Sequence, residues 1–217
     1  VVTLKEPRTS LGFIDRFLLA AEGFRIPVCL VFNKMDIYNE EERTAIRHLQ
    51  NIYGKIGCET LCTSVKTGEG IEALKSKINH HVSMCSGHSG VGKSAIINVI
   101  DPNLNLKIGD ISDYHNKGKH TTTFACMFAV GDGFIIDTPG IKEFGLIQYK
   151  PDEIRDYFPE IRQFNNQCKF NNCTHVHEPG CKVQDAVNKG IIALSRYENY
   201  LSILQDNDML IEDWKLK

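Results

Sequence analysis

Short apolar runs alternate with segments of helical periodicity along the first two thirds of the chain. Runs rich in β-branched and aromatic residues predict strands at residues 1–4, 28–32, 59–64, 82–86, 124–130 and 134–137. Between them, apolar residues three or four positions apart predict helices after the acidic residues 40–42, after Gly70 and from Lys93 to residue 100. This alternation is typical of a mostly parallel sheet with crossover helices, so we predict an α/β domain.

The pattern changes after Gly145. Two prolines and a stretch rich in Asn, Cys and His interrupt the alternation, and a helical stripe then follows at Leu194, Tyr197, Leu201 and Leu204. We therefore predict the α/β domain at residues 1–147 and a small, mainly helical domain at residues 148–217. Residues 103–120 show neither period, and a polar loop of this length is usually functional.

Overall composition restricts the function only weakly. The longest apolar run, at residues 28–32, is far too short to span a bilayer, so we expect no membrane partner. A formal net charge of -2 gives no global attraction for nucleic acid, and any RNA contact must come from local patches. The chain begins with Val1 rather than Met, so we expect it to be part of a longer protein.

The eight cysteines fall into two groups. Five are isolated in apolar surroundings and are interpreted as free thiols of a reducing compartment such as the cytoplasm: Cys29, Cys58, Cys62, Cys85 and Cys126. The other three lie with a histidine in the spacing C-x4-C-x-H-x5-C: Cys168, Cys173, His175 and Cys181. Three thiolates and one imidazole predict a closed, structural zinc site, with His177 as a competing ligand. A disulfide would leave one cysteine over.

Residues 87–94 carry the pattern G-x-x-x-x-G-K-S between a predicted strand and a predicted helix. Glycines there let backbone N–H groups surround phosphates, and the helix N-terminus favours their charge. Lys93 is predicted to neutralise the β- and γ-phosphates and Ser94 to ligate Mg²⁺. The expected phosphate-binding residues are Gly87, His88, Ser89, Gly90, Val91, Gly92, Lys93, Ser94 and Ala95.

Further Mg²⁺ contacts are expected from two other segments. Asp137 ends a strong apolar strand and is predicted to hold Mg²⁺, directly or through water, while the Gly140 amide senses the γ-phosphate. A threonine hydroxyl from residues 121–123 is expected to complete the metal shell as part of a switch loop, and we favour Thr122. Three threonines before a strand are also explained by β-propensity alone.

The motif Asn33-Lys34-Met35-Asp36 follows the strand at residues 28–32. The Asp36 carboxylate can accept hydrogen bonds from N1–H and the 2-amino group of guanine, which adenine cannot supply. Lys34 is expected to lie along the base and Asn33 to tie its loop to the phosphate loop. The segment Ser64-Val65-Lys66 is expected to offer a backbone amide to the guanine O6.

These motifs occur in an unusual order. In ordinary GTP-binding folds the phosphate loop precedes the base-reading motif, whereas here residues 33–36 come before residues 87–94. Since both must serve one nucleotide, the order predicts a circularly permuted GTPase. Ile141 stands where many GTPases have a water-orienting Gln, and His120 is the nearest candidate to replace it, although a solvated loop histidine is the alternative. Lys117 and Lys119 beside His120 form a small basic patch that could meet RNA.

The combination resembles the RsgA/YjeQ family, bacterial circularly permuted GTPases that mature the small ribosomal subunit. The resemblance rests on residues 33–36, 87–94, GKHTTT at 118–123, DTPGIKEFG at 137–145, 157–159 and the zinc segment ending at 178–181. It implies a P-loop GTPase domain followed by a zinc-binding domain. The family's usual N-terminal OB-fold domain is absent from this chain, and Val65 stands where alanine is commoner.

The resemblance also implies an activity and partners. It implies hydrolysis of GTP to GDP and phosphate, slow alone and faster on the 30S subunit in late maturation, with a hydrophobic residue at Ile141 and a role for His120 in that activation. Together with the motifs, this leads us to expect His120, Lys93 and Thr122 as catalytic residues. Expected cofactors are one structural Zn²⁺ and Mg²⁺ with GTP, and the expected RNA partner is 16S rRNA, contacted by the zinc domain and the switch loop. We expect a cytoplasmic monomer.

Two other functions are compatible with these residues. One is a nucleotide-gated RNA-binding module with little catalysis, which the missing Gln favours and the intact Lys93, Ser94 and Asp137 oppose. The other is a permuted GTPase of large-subunit assembly, against which the zinc segment argues.

Overall fold

The computed structural model of the chain describes residues 1–104, 126–137 and 149–215. Within these ranges the strands are β1 (Cys29–Phe32), β2 (Glu59–Cys62), β3 (Val82–Met84), β4 (Cys126–Val130) and β5 (Gly133–Asp137). The helices are α1 (Leu11–Gly23), α2 (Glu40–Lys55), α3 (Ile71–Ile78), α4 (Lys93–Ile100), α5 (Pro151–Ile154), α6 (Pro159–Arg162), α7 (Lys182–Asn188) and α8 (Leu194–Lys215). No helix in the described ranges is both long enough and apolar enough to cross a bilayer.

Contacts divide the chain into two compact units. The first comprises Val1–Thr9 and Cys29–Glu143, and the second comprises Ser10–Val28 and Phe144–Lys217. The predicted first domain of residues 1–147 includes residues 10–28, whereas the contacts group Ser10–Val28 with the C-terminal unit. The reason is α1, which the sequence analysis does not predict and which is capped by Ser10, whose hydroxyl accepts from the Phe13 amide at 3.2 Å.

The described strands of the first unit form two small sheets, β1-β2 and β3-β5-β4. β1 pairs with β2 and β3 pairs with β5 in parallel, while β4 and β5 form an antiparallel hairpin. Residues 1 and 2 connect these two groups of strands. The Val2 amide donates to the Val31 carbonyl at 2.8 Å, and the Val1 nitrogen donates to the Ser86 carbonyl at 2.5 Å. The predicted strand at residues 1–4 is thus only a bridge from Val2 to Phe32, because the chain turns at Thr3, whose hydroxyl donates to the Pro7 carbonyl.

Three predicted helices of the first unit are confirmed. α2 begins at a capping box in which the Asn39 side chain accepts from the Glu42 amide and the Glu42 carboxylate accepts from the Asn39 amide, each at 2.9 Å. α3 and α4 bury one apolar face each against β1, β4 and β5. Their shared core consists of Val31, Ile71, Leu74, Ile96, Ile97, Ile100, Val130 and Ile135. This core holds the start of α4, where the phosphate loop ends.

The second unit is a helical cluster around its own core. Its buried apolar residues come from α1, from α5 to α8 and from their connections: Leu19, Ile154, Phe158, Ile161, Val183, Ala186, Ile192, Tyr200, Ile203 and Leu204. The predicted helical stripe of the C-terminal tail lies in α8, where Leu204 is buried and Tyr197 and Leu201 are half-buried, while Leu194, at the start of the helix, is 59% exposed.

A buried charge cluster joins three helices of this second unit. The Arg196 guanidinium of α8 donates to the Glu160 carboxylate of α6 and to the Asp15 carboxylate of α1, both at 2.7 Å. It also lies 4.6 Å from the centre of the Phe158 ring. Arg196 and Asp15 are 3% and 1% exposed as side chains, so removing one partner would leave an unpaired charge in the protein interior.

We predict that Arg196→Met destabilises the second unit by about 3–5 kcal/mol, because Asp15 and Glu160 lose their buried partner. Urea unfolding followed by circular dichroism measures the effect. Arg16→Met is the matched control, since Arg16 also joins α1 to α8, through Asp206, but at the surface, where an ion pair contributes about 1 kcal/mol or less. Equal losses in the two variants would contradict a special role for the buried cluster.

Candidate nucleotide site and candidate metal centre

The phosphate loop connects β3 to α4 with backbone conformations that favour glycine. Gly87, Gly90 and Gly92 have φ values of 147°, 82° and 98°. A side chain at Gly92 would collide with the Asn33 amide nitrogen, and one at Gly87 would collide with the Val1 carbonyl. The glycines therefore allow both the turn of the loop and the close approach of the neighbouring strands.

Lys93 and Ser94 lie in the first turn of α4. The Lys93 ammonium donates to the carbonyls of Gly87 and His88 at 2.7 and 2.8 Å, which holds its charge within the curve of the loop. Burial, with a smaller contribution from the Lys93 charge, lowers the pKa of His88, so its imidazole is neutral at pH 7. Ser94 is buried. The N-terminus of α4 and the Lys93 ammonium thus present positive potential at one place.

The side chain of Asn33 joins the base-reading motif to the phosphate loop. Its amide nitrogen donates to the Val91 carbonyl at 2.8 Å, and its amide oxygen accepts from the Thr63 hydroxyl at 2.9 Å. Asn33 is 2% exposed, so both bonds lie away from water. The structure therefore brings residues 33–36 and 87–94 together, although they are far apart in sequence.

The Asp36 carboxylate is oriented from the neighbouring loop. One of its oxygens accepts from the Ser64 hydroxyl at 2.6 Å, and this bond lowers the pKa of Asp36. Asp36 is half-buried and Ser64 is buried. The Ser64 amide is engaged with the Glu69 carbonyl at 2.9 Å, and the half-buried Val65 and the exposed Lys66 follow it. A negative carboxylate thus lies at the end of β1, next to a turn built from residues 64–69.

Residues outside the motifs hold this loop in place. Lys34 has a left-handed φ of 66°, and its ammonium donates to the Glu6 carbonyl. The Tyr38 hydroxyl donates to the Asn33 carbonyl at 3.1 Å, and Arg43 donates to the Met35 carbonyl at 2.7 Å. Thr63, Tyr38 and Arg43 are parts of the site that no sequence motif predicts. Their closeness in sequence to the predicted motifs is the only feature that could have indicated their role, because they belong to no recognisable motif spacing.

Several predicted residues cannot be placed with this geometry. His120, Thr122 and Gly140 lie outside the described residues, and so does the side chain of Asp137. The backbone of Asp137 ends β5, which pairs with β3 so that Met84 lies opposite Ile136. The carboxyl end of β5 therefore lies beside the strand that leads into the phosphate loop, while the roles of these four residues in holding Mg²⁺ or water stay predictions.

The predicted zinc ligands come together in the second unit. One ligand atom from each of Cys168, Cys173, His175 and Cys181 lies within 4.8 Å of the others. The Nδ1 atom of His175 faces the sulfurs of Cys168 and Cys181 at 3.6 and 3.4 Å. The competing ligand His177 is exposed and lies outside this cluster among the described residues.

Electrostatics of this cluster fit a bound cation. Burial, followed by neighbouring thiols, raises the pKa of Cys173 to about 12, because several sulfurs this close cannot all be anionic without a positive charge between them. Burial and the nearby Arg155 lower the pKa of His175 to about 4, so the imidazole is neutral, as a metal ligand must be. Three thiols and one neutral imidazole form the donor set of a four-coordinate structural zinc site.

The turn between the last two ligands is closed by Glu178. Its carboxylate accepts from the Thr174 amide and hydroxyl at 2.5 and 2.6 Å, and from the amides of Val176 and His177 at 3.0 and 3.1 Å. Burial alone would raise the pKa of Glu178, but these hydrogen bonds outweigh it and lower the pKa to about 2. Glu178 is therefore ionised at neutral pH and stabilises the ligand loop.

Comparisons with known proteins agree with this geometry. The family model of the RsgA GTPase matches residues 1–147. The chain is 53% identical over 209 residues to small ribosomal subunit biogenesis GTPase RsgA 2 of Bacteroides thetaiotaomicron, covering 96% of this chain and 67% of the relative. It is 47% identical over 212 residues to the small ribosomal subunit biogenesis GTPase RsgA of Porphyromonas gingivalis W83, with the same coverage, 96% and 67%. The chain thus spans about two thirds of the length of these relatives.

Two solved structures share the fold. The crystal structure of YjeQ from Thermotoga maritima matches with a TM-score of 0.80 and 39% identity, over 95% of this chain and 69% of that one. The crystal structure of YloQ, described as a circularly permuted GTPase, matches with a TM-score of 0.76 and 26% identity, over 95% of this chain and 66% of that one. These matches confirm the prediction of an α/β, circularly permuted GTPase fold.

We predict that Thr63→Val lowers GTP affinity and destabilises the first unit by about 1–3 kcal/mol, because the buried Asn33 oxygen loses its donor while the side-chain shape is kept. Titration with a fluorescent GTP analogue and urea unfolding measure the two effects. Thr44→Val is the control, because Thr44 is exposed on α2 and its hydroxyl donates to the Glu40 carbonyl of the same helix; it should leave GTP affinity unchanged and stability nearly so. If both variants bound the nucleotide alike, Thr63 would have no part in orienting Asn33.

Acid should remove the stabilisation that Glu178 provides. Its folded pKa of about 2 lies below the ordinary 4.5, so the stabilisation is complete above pH 4.5 and is lost as pH falls toward 2. Glu178→Gln should therefore be less stable than the parent at pH 7, and the difference should shrink between pH 4.5 and pH 3. Urea unfolding at each pH measures it, with the exposed Glu198→Gln as the control. A difference that did not vary with pH would contradict this role.

Proposed function

The chain belongs to the RsgA GTPase family, and from this premise we propose that it binds GTP and hydrolyses it to GDP and phosphate. The observation that carries the proposal is the Asn33 side chain, which bonds to Val91 of the phosphate loop at 2.8 Å. This bond supports a single pocket in which one loop reads the base and the other binds the phosphates. Each motif is common by itself. The contact between them is what supports the binding of one nucleotide by both.

Guanine selection falls to Asp36 in this proposal. Its carboxylate, kept ionised by the bond from Ser64, accepts from N1–H and the 2-amino group of guanine. Because the Ser64 amide already donates to Glu69, the contact to the guanine O6 falls to the amide of Val65 or Lys66. Adenine has no donor at either position facing Asp36, so with adenine bound the carboxylate would receive no hydrogen bond from the base.

Phosphate binding falls to the backbone of residues 87–94 and to Lys93. The Lys93 ammonium, now bonded to loop carbonyls, is placed to exchange them for oxygens of the β- and γ-phosphates. Mg²⁺, when bound, would offset phosphate charge, and Ser94, Asp137 and Thr122 are the side chains proposed to hold it. These are hydroxyl and carboxylate oxygens, the ligands that Mg²⁺ prefers.

Hydrolysis itself requires a positioned water. Its oxygen attacks the γ-phosphorus, the bond to the β–γ bridging oxygen breaks, and GDP leaves with that oxygen while the water proton passes to the phosphate. Ile141 has no polar atom to hold the water, so we assign this task to His120, with the Gly140 amide at the γ-phosphate. The assignment of His120 follows the family resemblance.

We further propose that the four clustered ligands in the second unit bind one zinc ion. Cys168, Cys173, His175 and Cys181 occupy all four positions of a tetrahedral site, which leaves none for a substrate and makes the role structural. Its binding would contribute to the folding free energy of the unit.

The partner proposed for this chain is the small ribosomal subunit. The relatives are named small ribosomal subunit biogenesis GTPases, and we propose that this chain acts in late 30S maturation in the cytoplasm, where the zinc unit and the switch loop contact 16S rRNA. Binding to the subunit would complete the catalytic site and accelerate hydrolysis. The same names favour the small subunit over the large-subunit alternative.

A nucleotide-gated RNA-binding module with little catalysis is the second candidate, favoured by Ile141 at the position of the catalytic Gln. Single-turnover hydrolysis of GTP with and without purified 30S subunits separates the two. We expect a rate of about 10⁻⁴ s⁻¹ alone and roughly 10³- to 10⁵-fold stimulation by the subunit. Lys93→Ala should abolish both rates. Tight subunit binding with no stimulation of the parent chain would favour the RNA-binding alternative.

We predict that Asp36→Asn weakens GTP and favours xanthosine triphosphate, because the amide can donate to the 2-oxo group of xanthine. Loss of hydrogen bonds to a charged acceptor costs about 1.5–3 kcal/mol, or roughly 10- to 100-fold in GTP affinity. Competition binding with both nucleotides measures the switch. Asp132→Asn, at an exposed turn between β4 and β5, is the control. An unchanged base preference in Asp36→Asn would remove this residue from base recognition.

A further inference from the structure

Two side chains outside the ligand set determine how His175 faces the metal centre. The Nε2 atom of His175 lies 3.0 Å from the Asn165 amide oxygen, and the Asn165 amide nitrogen lies 2.6 Å from the Asp156 carboxylate. We propose that Asp156 and Asn165 form a relay that selects the His175 tautomer and makes Nδ1 the metal-binding atom. This inference rests on the proposed zinc site, whose four ligands fit the ion.

The direction of the relay follows from its donors and acceptors. An ionised carboxylate can only accept, so Asp156 requires the NH₂ group of Asn165 to face it. The Asn165 oxygen then faces His175 and can only accept, so the Nε2 atom of His175 must carry the proton. A neutral imidazole has one proton on its two nitrogens. Nδ1 is consequently left with a free lone pair, and it faces the sulfurs of Cys168 and Cys181.

Because His175 is buried, the choice of tautomer decides whether both of its ring nitrogens have partners. His175 is 0% exposed, so its unused nitrogen has no water to bond with. The backbone of His175 is also held in place. Its carbonyl accepts from the Tyr197 hydroxyl at 2.6 Å, and its φ of 64° is left-handed. A partner for the nitrogen remote from the ion usually fixes the ring and raises ligand basicity. Asn165 is thus a positioning residue for the centre and does not touch the ion.

The relay predicts that Asn165→Ala lowers the zinc affinity of the full chain, by about 10- to 100-fold, as loss of such an outer partner typically does. Asn166→Ala is the matched control, since it removes the same group from the exposed neighbour in the same 3-10 turn. Competition with a chromogenic zinc chelator measures affinity, and circular dichroism with zinc present confirms that each variant is folded. Equal affinities in the two variants would overturn the proposal.

Exchanging the two relay residues separates hydrogen-bond direction from packing. Asp156→Asn alone no longer fixes the direction of the bond, since an amide can face Asn165 with either its oxygen or its NH₂ group, and Asn165→Asp alone places two carboxylates against each other. Combined, they restore one donor and one acceptor between the two positions and keep an acceptor oxygen toward His175. We therefore expect each single variant to lose zinc affinity and the double variant to regain most of it. A double variant no better than the worse single variant would show that only packing matters.

The tautomer provides a readout that zinc affinity does not. In the zinc-loaded parent chain, ¹⁵N chemical shifts of His175 should show a protonated Nε2 and a metal-bound Nδ1. The Co²⁺-substituted protein should keep the absorption of a four-coordinate site in Asn166→Ala and shift it in Asn165→Ala. Metal bound through Nε2 in the parent chain would overturn the relay. Failure of the chain to bind any zinc at 1:1 stoichiometry would instead overturn the zinc site itself.

Discussion

The nucleotide site depends on one buried side-chain amide. Asn33 donates to the phosphate loop and accepts from Thr63, so three separate loops are fixed to one another by two hydrogen bonds shielded from water. Leaving any partner unpaired there would cost about 1–3 kcal/mol. Gly92 can have no side chain because the Asn33 amide fills that space. The order of the motifs along the chain is irrelevant to this arrangement, which is how a permuted chain keeps the same pocket.

The second unit is organised by a buried charge cluster and by the Cys/His cluster proposed to bind zinc. Arg196 binds two carboxylates that arrive from helices far apart in sequence, and the C-terminal core alone does not explain why α1 belongs to this unit. The chain leaves the first unit after Thr9 and returns to it at Cys29, the first residue of β1, and the base-reading motif follows that strand. Hydrogen bonds also fix the loop that carries the predicted metal ligands. Glu178 accepts from Thr174 at its turn, and the Asn165 oxygen lies within hydrogen-bond distance of the His175 imidazole.

Much of this architecture is predictable from local patterns. The strands β1, β2, β3 and β5 follow from their short β-rich runs, and the helices α2 to α4 follow from helical spacing, because each of these helices buries one apolar face. The four metal ligands are predictable from donor chemistry in a short segment. α1 is not predicted because its burial depends on distant partners: the polar Asp15 lies on its buried face and binds Arg196 and Asn199 of α8. Pattern reading treats such a residue as exposed.

The sequence alone determined the α/β class, the permuted order of the motifs, the chemical types gathered at each site and the membership of the metal cluster, since these depend on residue identity and short spacing. Only the tertiary structure decided which side chains orient those groups. Thr63 and Ser64 bond to partners 30 and 28 positions away, and Asn165 bonds to Asp156 and His175, 9 and 10 positions away. No sequence periodicity marks these pairs. Long-range hydrogen bonds leave no local pattern, because they depend on how the chain folds back on itself.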